Sequence, residues 1–175
     1  MGAETMKRTG YRGISFREAE QVVACQRYER MERRRFQGGI QARSIFGSGL
    51  YLISDAALAA QYAFCHAEAE GGERAAILKQ EVNLERPLVI NCRYSEMQLR
   101  EDALDWKYKG KPLPNVRPEH IHAWLGRSTK EFALAHSFDG IVYHLDDSII
   151  YYVAYFQDKQ VRGIDLEYVF TLNGA

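Results

Sequence analysis

The segment 47–62 combines a glycine-rich turn, an apolar stretch containing Tyr51, and an alanine-rich stretch that ends at Tyr62, eleven residues later. Small side chains let a flat ligand lie against a helix, and two aromatic rings on different elements can sandwich a planar group, each contributing on the order of 1 kcal/mol. Binding of a planar ring is one interpretation. The other is that both tyrosines are core residues and the alanines pack a helix, and the spacing alone does not separate the two.

A second candidate pair, Arg12-Gly13, lies upstream in the short extended stretch 10–14. A planar guanidinium suits phosphate oxygens and costs less to desolvate than an ammonium group. Glycine allows a ligand to approach the backbone closely. Taken alone, an arginine before a turn is most often a surface residue, but next to the segment 47–62 the pair is a candidate for ligand binding.

The elements that must position these residues are helices early in the chain and strands late in it. A capping box at Ser15–Glu18 opens the first helix, and Ser54 or Asp55 caps the second. The predicted helices are 16–36, 56–70, 118–124 and 128–136, and the predicted strands are 49–54, 74–84, 88–91, 140–144, 149–156 and 166–172. There is no β-α-β rhythm, so the class is α+β with a mostly antiparallel sheet. Residues 1–9 are predicted to be a flexible lead-in and residues 10–175 a single domain.

Composition excludes several classes of protein. The 175 residues carry a net charge of zero, so no overall field points to nucleic acid or an anionic membrane. Three cysteines without CxxC spacing and five histidines without ligand spacing predict neither a disulfide framework nor a metal site. No apolar run approaches the roughly 20 residues of a membrane span. A reducing, cytoplasmic compartment fits best, and delivery into a target cell without a cleavable signal stays open.

The segment 49–62 resembles the second motif of the ADP-ribosyltransferase superfamily, in the version shared by poly(ADP-ribose) polymerases and many bacterial or phage mono-ADP-ribosyltransferases. The resemblance implies that Tyr51 and Tyr62 hold the nicotinamide of NAD, with Gly49 and Ser54 as further cofactor-binding residues of the motif. One departure is visible. The polymerases usually have a small hydroxyl residue three positions before the second tyrosine, and this chain has Ala59.

Other matches extend the resemblance over residues 10 to about 164. In the superfamily the position of Arg12 contacts the ribose or phosphates of NAD, and Gly13 would offer backbone groups to the nicotinamide carboxamide. Arg43 would reach the diphosphate. The stretches 75–90 and 138–143 are similar to structural strands of the bacterial and phage members. The fold implied is an ADP-ribosyltransferase-type fold, a mostly antiparallel split β-sheet core flanked by helices.

The third motif of the superfamily normally supplies a glutamate, and this chain lacks one at that place. Gln160-Val161-Arg162 anchors the comparison and aligns Tyr152, or with a one-residue slip Tyr151, with the glutamate. A carboxylate there stabilises the oxocarbenium-like ribose as nicotinamide leaves. A phenol with an ordinary pKa of about 10 carries no charge near neutral pH, although its hydroxyl can hold a ribose hydroxyl. Glu167, in a Glu-Tyr-Val sequence after the anchor, is an alternative catalytic acid.

The resemblance therefore implies a mono-ADP-ribosyltransferase that uses NAD to modify a macromolecular acceptor, with protein favoured over nucleic acid. Lone small domains of the superfamily are often toxins or effectors. Two alternatives stay open: an NAD glycohydrolase, in which water replaces the acceptor, and a catalytically inactive relative that binds NAD or a partner. An unrelated α+β domain with core tyrosines is the remaining interpretation. The oligomeric state is left open by the sequence.

Overall fold

A computed structural model of the chain describes residues 5–29 and 45–172. In these ranges a seven-stranded sheet is flanked by helices. The strands are β1 (Met6–Ser15), β2 (Leu50–Ile53), β3 (Arg74–Leu84), β4 (Pro87–Ile90), β5 (Gly140–His144), β6 (Ile150–Ala154) and β7 (Val161–Thr171). The helices are α1 (Phe16–Cys25), α2 (Ala56–Glu70), α3 (Glu96–Tyr108), α4 (Ile121–Ala135) and α5 (Gln157–Gln160), and a 3-10 turn (Pro118–His120) precedes α4.

The strand order is β4-β5-β6-β2-β1-β3-β7, and each neighbouring pair is antiparallel except β4 with β5. The predicted α+β class with a mostly antiparallel sheet is confirmed. β1 pairs with β3 along its whole length, but within the described residues it pairs with β2 only where Tyr11 faces Ile53. We call this narrow junction the split. It divides the sheet into the halves β4-β5-β6-β2 and β1-β3-β7.

The two faces of the sheet carry different helices, because successive strand residues point to opposite sides. On one face Ile14, Leu52 and Tyr152 form an apolar cluster with Ala19 and Val22 of α1. On the other face α2 covers β1 and β3 through its alanines, while α3 and α4 contribute to the cluster over β4, β5 and β6. The split therefore opens on the second face beside α2.

Local signals explain the bounds of α2, which match the predicted range 56–70. The Asp55 carboxylate accepts a hydrogen bond from the Leu58 N–H at 3.0 Å, so Asp55 rather than Ser54 is the N-cap. Gly71 ends the helix in the left-handed conformation, at φ 68°. The position of Tyr62 on α2 follows directly from these caps.

The first helix is shorter than predicted. Ser15 caps it as expected, but α1 ends at Cys25 and Gln26 takes a left-handed conformation at φ 54°. The Gln26 amide donates to the Ile164 carbonyl at 2.7 Å and accepts from the Ile164 N–H at 2.9 Å. The prediction of helix beyond residue 25 is wrong because this contact with β7, distant in sequence, ends it. Residues 30–36 of that prediction lie outside the described residues.

The structure also differs from the prediction in the region of residues 118–136, and it contains elements that the sequence did not predict. The predicted break between the helices 118–124 and 128–136 is absent, since α4 is continuous, and Ser128, predicted as an N-cap, lies buried inside it. The sequence did not predict α3 or α5, and β7 begins at residue 161 rather than 166. Residues 6–9, expected to be part of a flexible lead-in, are paired with β3.

Candidate functional site

Arg12 crosses the split. Its side chain is almost fully buried, with the residue 6% exposed, and its Nη1 donates a hydrogen bond to the Tyr51 carbonyl at 3.1 Å. This bond joins β1 to β2 just beyond the last backbone pair, Tyr11 with Ile53. A guanidinium has five N–H donors, and here one of them bridges the two strands. Arg12 is thus a permanent positive charge held at the junction of the two halves, with its side chain on the same side of β1 as Ile14, the side that α1 covers.

Tyr51 is held rigidly on β2 by its hydroxyl. The hydroxyl donates to the Gly47 carbonyl at 2.5 Å and accepts from the Phe46 N–H at 3.1 Å. Tyr155 binds the same turn by donating to the Phe46 carbonyl at 2.7 Å. Burial, and to a smaller extent the neighbouring Tyr51, raises the pKa of Tyr155 well above its ordinary value, so its hydroxyl stays a donor. The Tyr51 ring is therefore fixed before any ligand binds.

Tyr62 reaches the same place from α2. Its hydroxyl lies 3.1 Å from the hydroxyl of Tyr151 on β6. Tyr151 is paired with Ile53 and points to the face of the sheet that α2 covers, whereas its neighbour Tyr152 points to the α1 face. Strand alternation thus makes Tyr151 the third-motif candidate that faces the split.

Gly13 allows α2 to lie directly on β1. A Cβ atom at this position would stand 1.8 Å from the carbonyl oxygen of Ala59 and 2.6 Å from the backbone nitrogen of Ala63. Both distances are far inside van der Waals contact, and both neighbours are backbone atoms that cannot turn aside. Close helix packing is a structural reason for glycine here, alongside the predicted approach of a ligand.

These side chains enclose a small cavity at the split, which we call the split cavity. It is lined by Tyr11, Arg12, Gly13, Tyr51, Ile53, Tyr62 and His66, and its volume is about 20 Å³. A volume of this size holds about one water molecule. The described lining includes no aspartate or glutamate. A planar ring can enter only if Tyr62 moves away from Tyr151.

Two predicted catalytic residues lie away from the split cavity. Tyr152 is 3% exposed within the apolar cluster on the α1 face, where burial raises its pKa. Glu167 is exposed on β7, at an irregularity in the β3–β7 register, and β3 and β1 separate that strand from the split. Neither residue is brought together with Tyr51 and Tyr62.

Two predicted cofactor-binding residues, Gly49 and Ser54, also lie outside the described lining of the cavity. Gly49 packs against β6, where an added Cβ would stand 3.0 Å from the Val153 side chain. The Ser54 hydroxyl accepts from the Ile150 N–H at 2.9 Å and so extends the pairing of β2 with β6. Arg43 falls outside the described residues.

The sequence-based prediction missed three residues that line the split cavity: Tyr11, Ile53 and His66. His66 lies four residues after Tyr62, so the two share one face of α2, and that spacing could have found it. Ile53 follows Tyr51 by two residues and so lies on the same side of β2. Tyr11 could not be assigned because the sequence does not reveal that β1 meets β2 at that residue.

Within residues 5–29 and 45–172, no cluster of three or more His, Cys, Asp or Glu side chains is arranged to hold a metal ion. In the same ranges no helix has the length and apolar character needed to span a membrane.

No protein-family model matches the chain. No curated protein sequence matches it either. The structure is similar to a solved structure of an anti-CRISPR protein, with 14% sequence identity and a TM-score of 0.37, over 95% of this chain and 97% of that one. A similarity at that TM-score carries no argument about a shared fold or function.

Proposed function

We propose that this protein is a mono-ADP-ribosyltransferase, with an ADP-ribosyltransferase-type fold, that uses NAD as its substrate and transfers one ADP-ribose group to a macromolecular acceptor. One observation carries the proposal: Arg12, Gly13, Tyr51 and Tyr62 line one cavity. They come from three elements and belong to two separate sequence motifs. Tyr51 and Tyr62 meet on the α2 face at the junction of β1 with β2. The Arg12 side chain, which lies on the α1 face with Tyr28, binds the Tyr51 carbonyl at the same junction.

The residues of the split cavity have distinct roles in this proposal. Tyr51 and Tyr62 lie on either side of the nicotinamide ring, and the hydroxyl bonds of Tyr51 to the 46–47 turn keep its ring in place. Arg12 supplies a positive charge for the phosphates or ribose, which a buried guanidinium does in fixed geometry. The cavity fits the ring only after the contact between Tyr62 and Tyr151 opens, since its present volume holds about one water molecule.

The reaction breaks the bond between the ribose C1 atom and the nicotinamide nitrogen. Nicotinamide leaves with the bonding electron pair, which neutralises its ring, and the acceptor nucleophile bonds to C1 and loses a proton. In this proposal the Tyr151 hydroxyl holds a ribose hydroxyl where relatives have a carboxylate. The loss of one preorganised electrostatic group commonly costs about 10²–10³ in rate. We therefore expect slow single transfer without chain elongation.

Two alternatives use the same cavity. In an NAD glycohydrolase, water takes the place of the acceptor and free ADP-ribose is formed. In a binding-only relative, NAD or a partner occupies the cavity without turnover, and the lack of a carboxylate among the described lining residues favours this alternative.

The test is incubation of the purified protein with NAD labelled in its adenylate part, alone and with a cell lysate, while free nicotinamide and labelled macromolecules are measured. The proposal predicts label on macromolecules, lost in Tyr51→Ala and retained in the control Tyr168→Ala, which removes an exposed tyrosine of β7. Nicotinamide release without transfer supports the glycohydrolase. NAD binding without release, measured by calorimetry, supports the binding-only relative, and absence of NAD binding refutes the transferase, the glycohydrolase and an NAD-binding relative together.

A further inference from the structure

A second buried group lies against Arg12, on the segment that follows α1. The Arg12 guanidinium carbon is 5.0 Å from the centre of the Tyr28 ring, and Tyr28 is 1% exposed. An arginine over an aromatic ring gains electrostatic attraction that grows as the pair loses water. The guanidinium is thus bounded by the Tyr28 ring as well as by the Tyr51 carbonyl that it binds.

Polar contacts fix the ring of Tyr28. Its hydroxyl donates to the Gln80 side-chain oxygen at 2.5 Å, and the Gln80 amide nitrogen donates to the Gly10 carbonyl at 2.7 Å. Gln80 is itself 1% exposed on β3. Burial raises the pKa of Tyr28 although Arg12 opposes the rise, so the hydroxyl remains a donor at neutral pH. The chain of bonds runs from the ring back to β1, two residues before Arg12.

The backbone of Tyr28 is fixed as well. Its N–H donates to the Gln157 side-chain oxygen at 3.0 Å, and the Gln157 amide nitrogen donates to its carbonyl at 2.7 Å. One buried glutamine therefore replaces both partners that a neighbouring strand would offer. Ring, hydroxyl and backbone are all held, which is more restraint than filling the core requires.

We propose that Tyr28 is a positioning residue for Arg12: its ring, fixed by Gln80 and Gln157, keeps the guanidinium at the split in the orientation that binds the phosphates or ribose of NAD. The inference rests on the proposed function in one respect, which is that NAD is the ligand of Arg12. The orientation of Arg12 itself is a property of the protein without NAD. Its test therefore has one readout with NAD and one without.

The first experiment measures steady-state nicotinamide release by wild type, Tyr28→Phe, Arg12→Gln and the double variant. Tyr28→Phe keeps the ring and removes the hydroxyl bond to Gln80. We expect KM for NAD to rise about tenfold with kcat changed less than twofold. In the Arg12→Gln background the same substitution should change KM less than twofold, because a residue that acts through Arg12 has nothing left to orient. Equal effects in both backgrounds would overturn the proposal.

The second experiment follows the Nε–H group of Arg12 by heteronuclear NMR in the absence of NAD, with its signal assigned from Arg12→Gln. We expect Tyr28→Phe to speed hydrogen exchange of this group at least fivefold. The control Tyr94→Phe, which also loses one hydroxyl bond, to Asp102, should leave it unchanged. Unchanged exchange in Tyr28→Phe overturns the positioning role. Faster exchange in a protein that does not bind NAD upholds the role and refutes only the proposed function. Should Tyr28→Phe fail to fold, Gln80→Met, which removes the acceptor of the Tyr28 hydroxyl and introduces no charge, takes its place under the same criteria.

Discussion

Substitution of Gly13 by alanine tests the packing of α2 on β1 most severely. An alanine Cβ would stand 1.8 Å from the Ala59 carbonyl oxygen, so α2 must recede by about 1.6 Å to reach ordinary contact at 3.4 Å. Overpacking of a well-packed core typically costs about 1–3 kcal/mol, and the backbone neighbours put this site at the upper end. We expect a loss of about 3 kcal/mol in the free energy of unfolding.

The same displacement should reach the split cavity, because Tyr62 is on α2. A shift of this size separates its hydroxyl from that of Tyr151, now 3.1 Å away. Urea denaturation measures the stability, and thermal unfolding should show a midpoint lower by about 6–12 °C for a chain of this length.

Gly72→Ala is the matched control. A Cβ at Gly72 meets its nearest neighbour, the Ala67 carbonyl oxygen, at 3.5 Å, which is ordinary contact. We expect this variant to unfold within about 0.5 kcal/mol of wild type. If Gly13→Ala proves as stable as Gly72→Ala, α2 does not lie on β1 as described, and the reasoning about the split cavity fails with it.

Three further predictions concern single contacts. Tyr62→Phe removes the hydroxyl contact with Tyr151 that closes the split cavity, so the Kd for NAD measured by calorimetry should fall about fivefold. An unchanged or higher Kd would contradict the role of this contact in closing the cavity. Gln157→Leu leaves the buried backbone N–H and carbonyl of Tyr28 without their partner, so the free energy of unfolding in urea should fall by about 2–4 kcal/mol. A loss below about 1 kcal/mol would contradict the role of Gln157 in holding the Tyr28 backbone. Burial raises the pKa of Tyr155 well above 10.0, so the folded state holds the phenol proton more tightly than the unfolded state does. The free energy of unfolding should therefore fall as pH rises above about 10, and it should fall less steeply in Tyr155→Phe. Equal dependence on pH in the two proteins would contradict this prediction.

The sequence predicts the bounds of an element most accurately where a local signal marks its end. The Asp55 cap and Gly71 enclose α2, and its range was predicted to the residue. The end of α1 was not predictable, because Gln26 breaks the helix by binding Ile164, a residue 138 positions away. A capping box at Ser128 predicted the start of a new helix, yet α4 continues through that residue, which is buried.

The candidate site was predictable in its residue types but not in its geometry. Tyr51 and Tyr62 could be paired through their motif, and both line the split cavity. The choice between Tyr151 and Tyr152 depends on a register of one residue, which only the pairing of β6 with β2 reveals. Tyr28 carried no signal at all, since its contact with Arg12 joins parts of the chain that no short motif connects.

The most direct test of the central claim is a transferred nuclear Overhauser measurement between NAD and the purified protein. The account predicts that the nicotinamide ring protons show contacts to the ring protons of both Tyr51 and Tyr62, and that the adenine protons show none to either. Contacts from adenine alone, or no transfer to these two rings under conditions in which NAD binds, would contradict the assignment of the split cavity as the nicotinamide site.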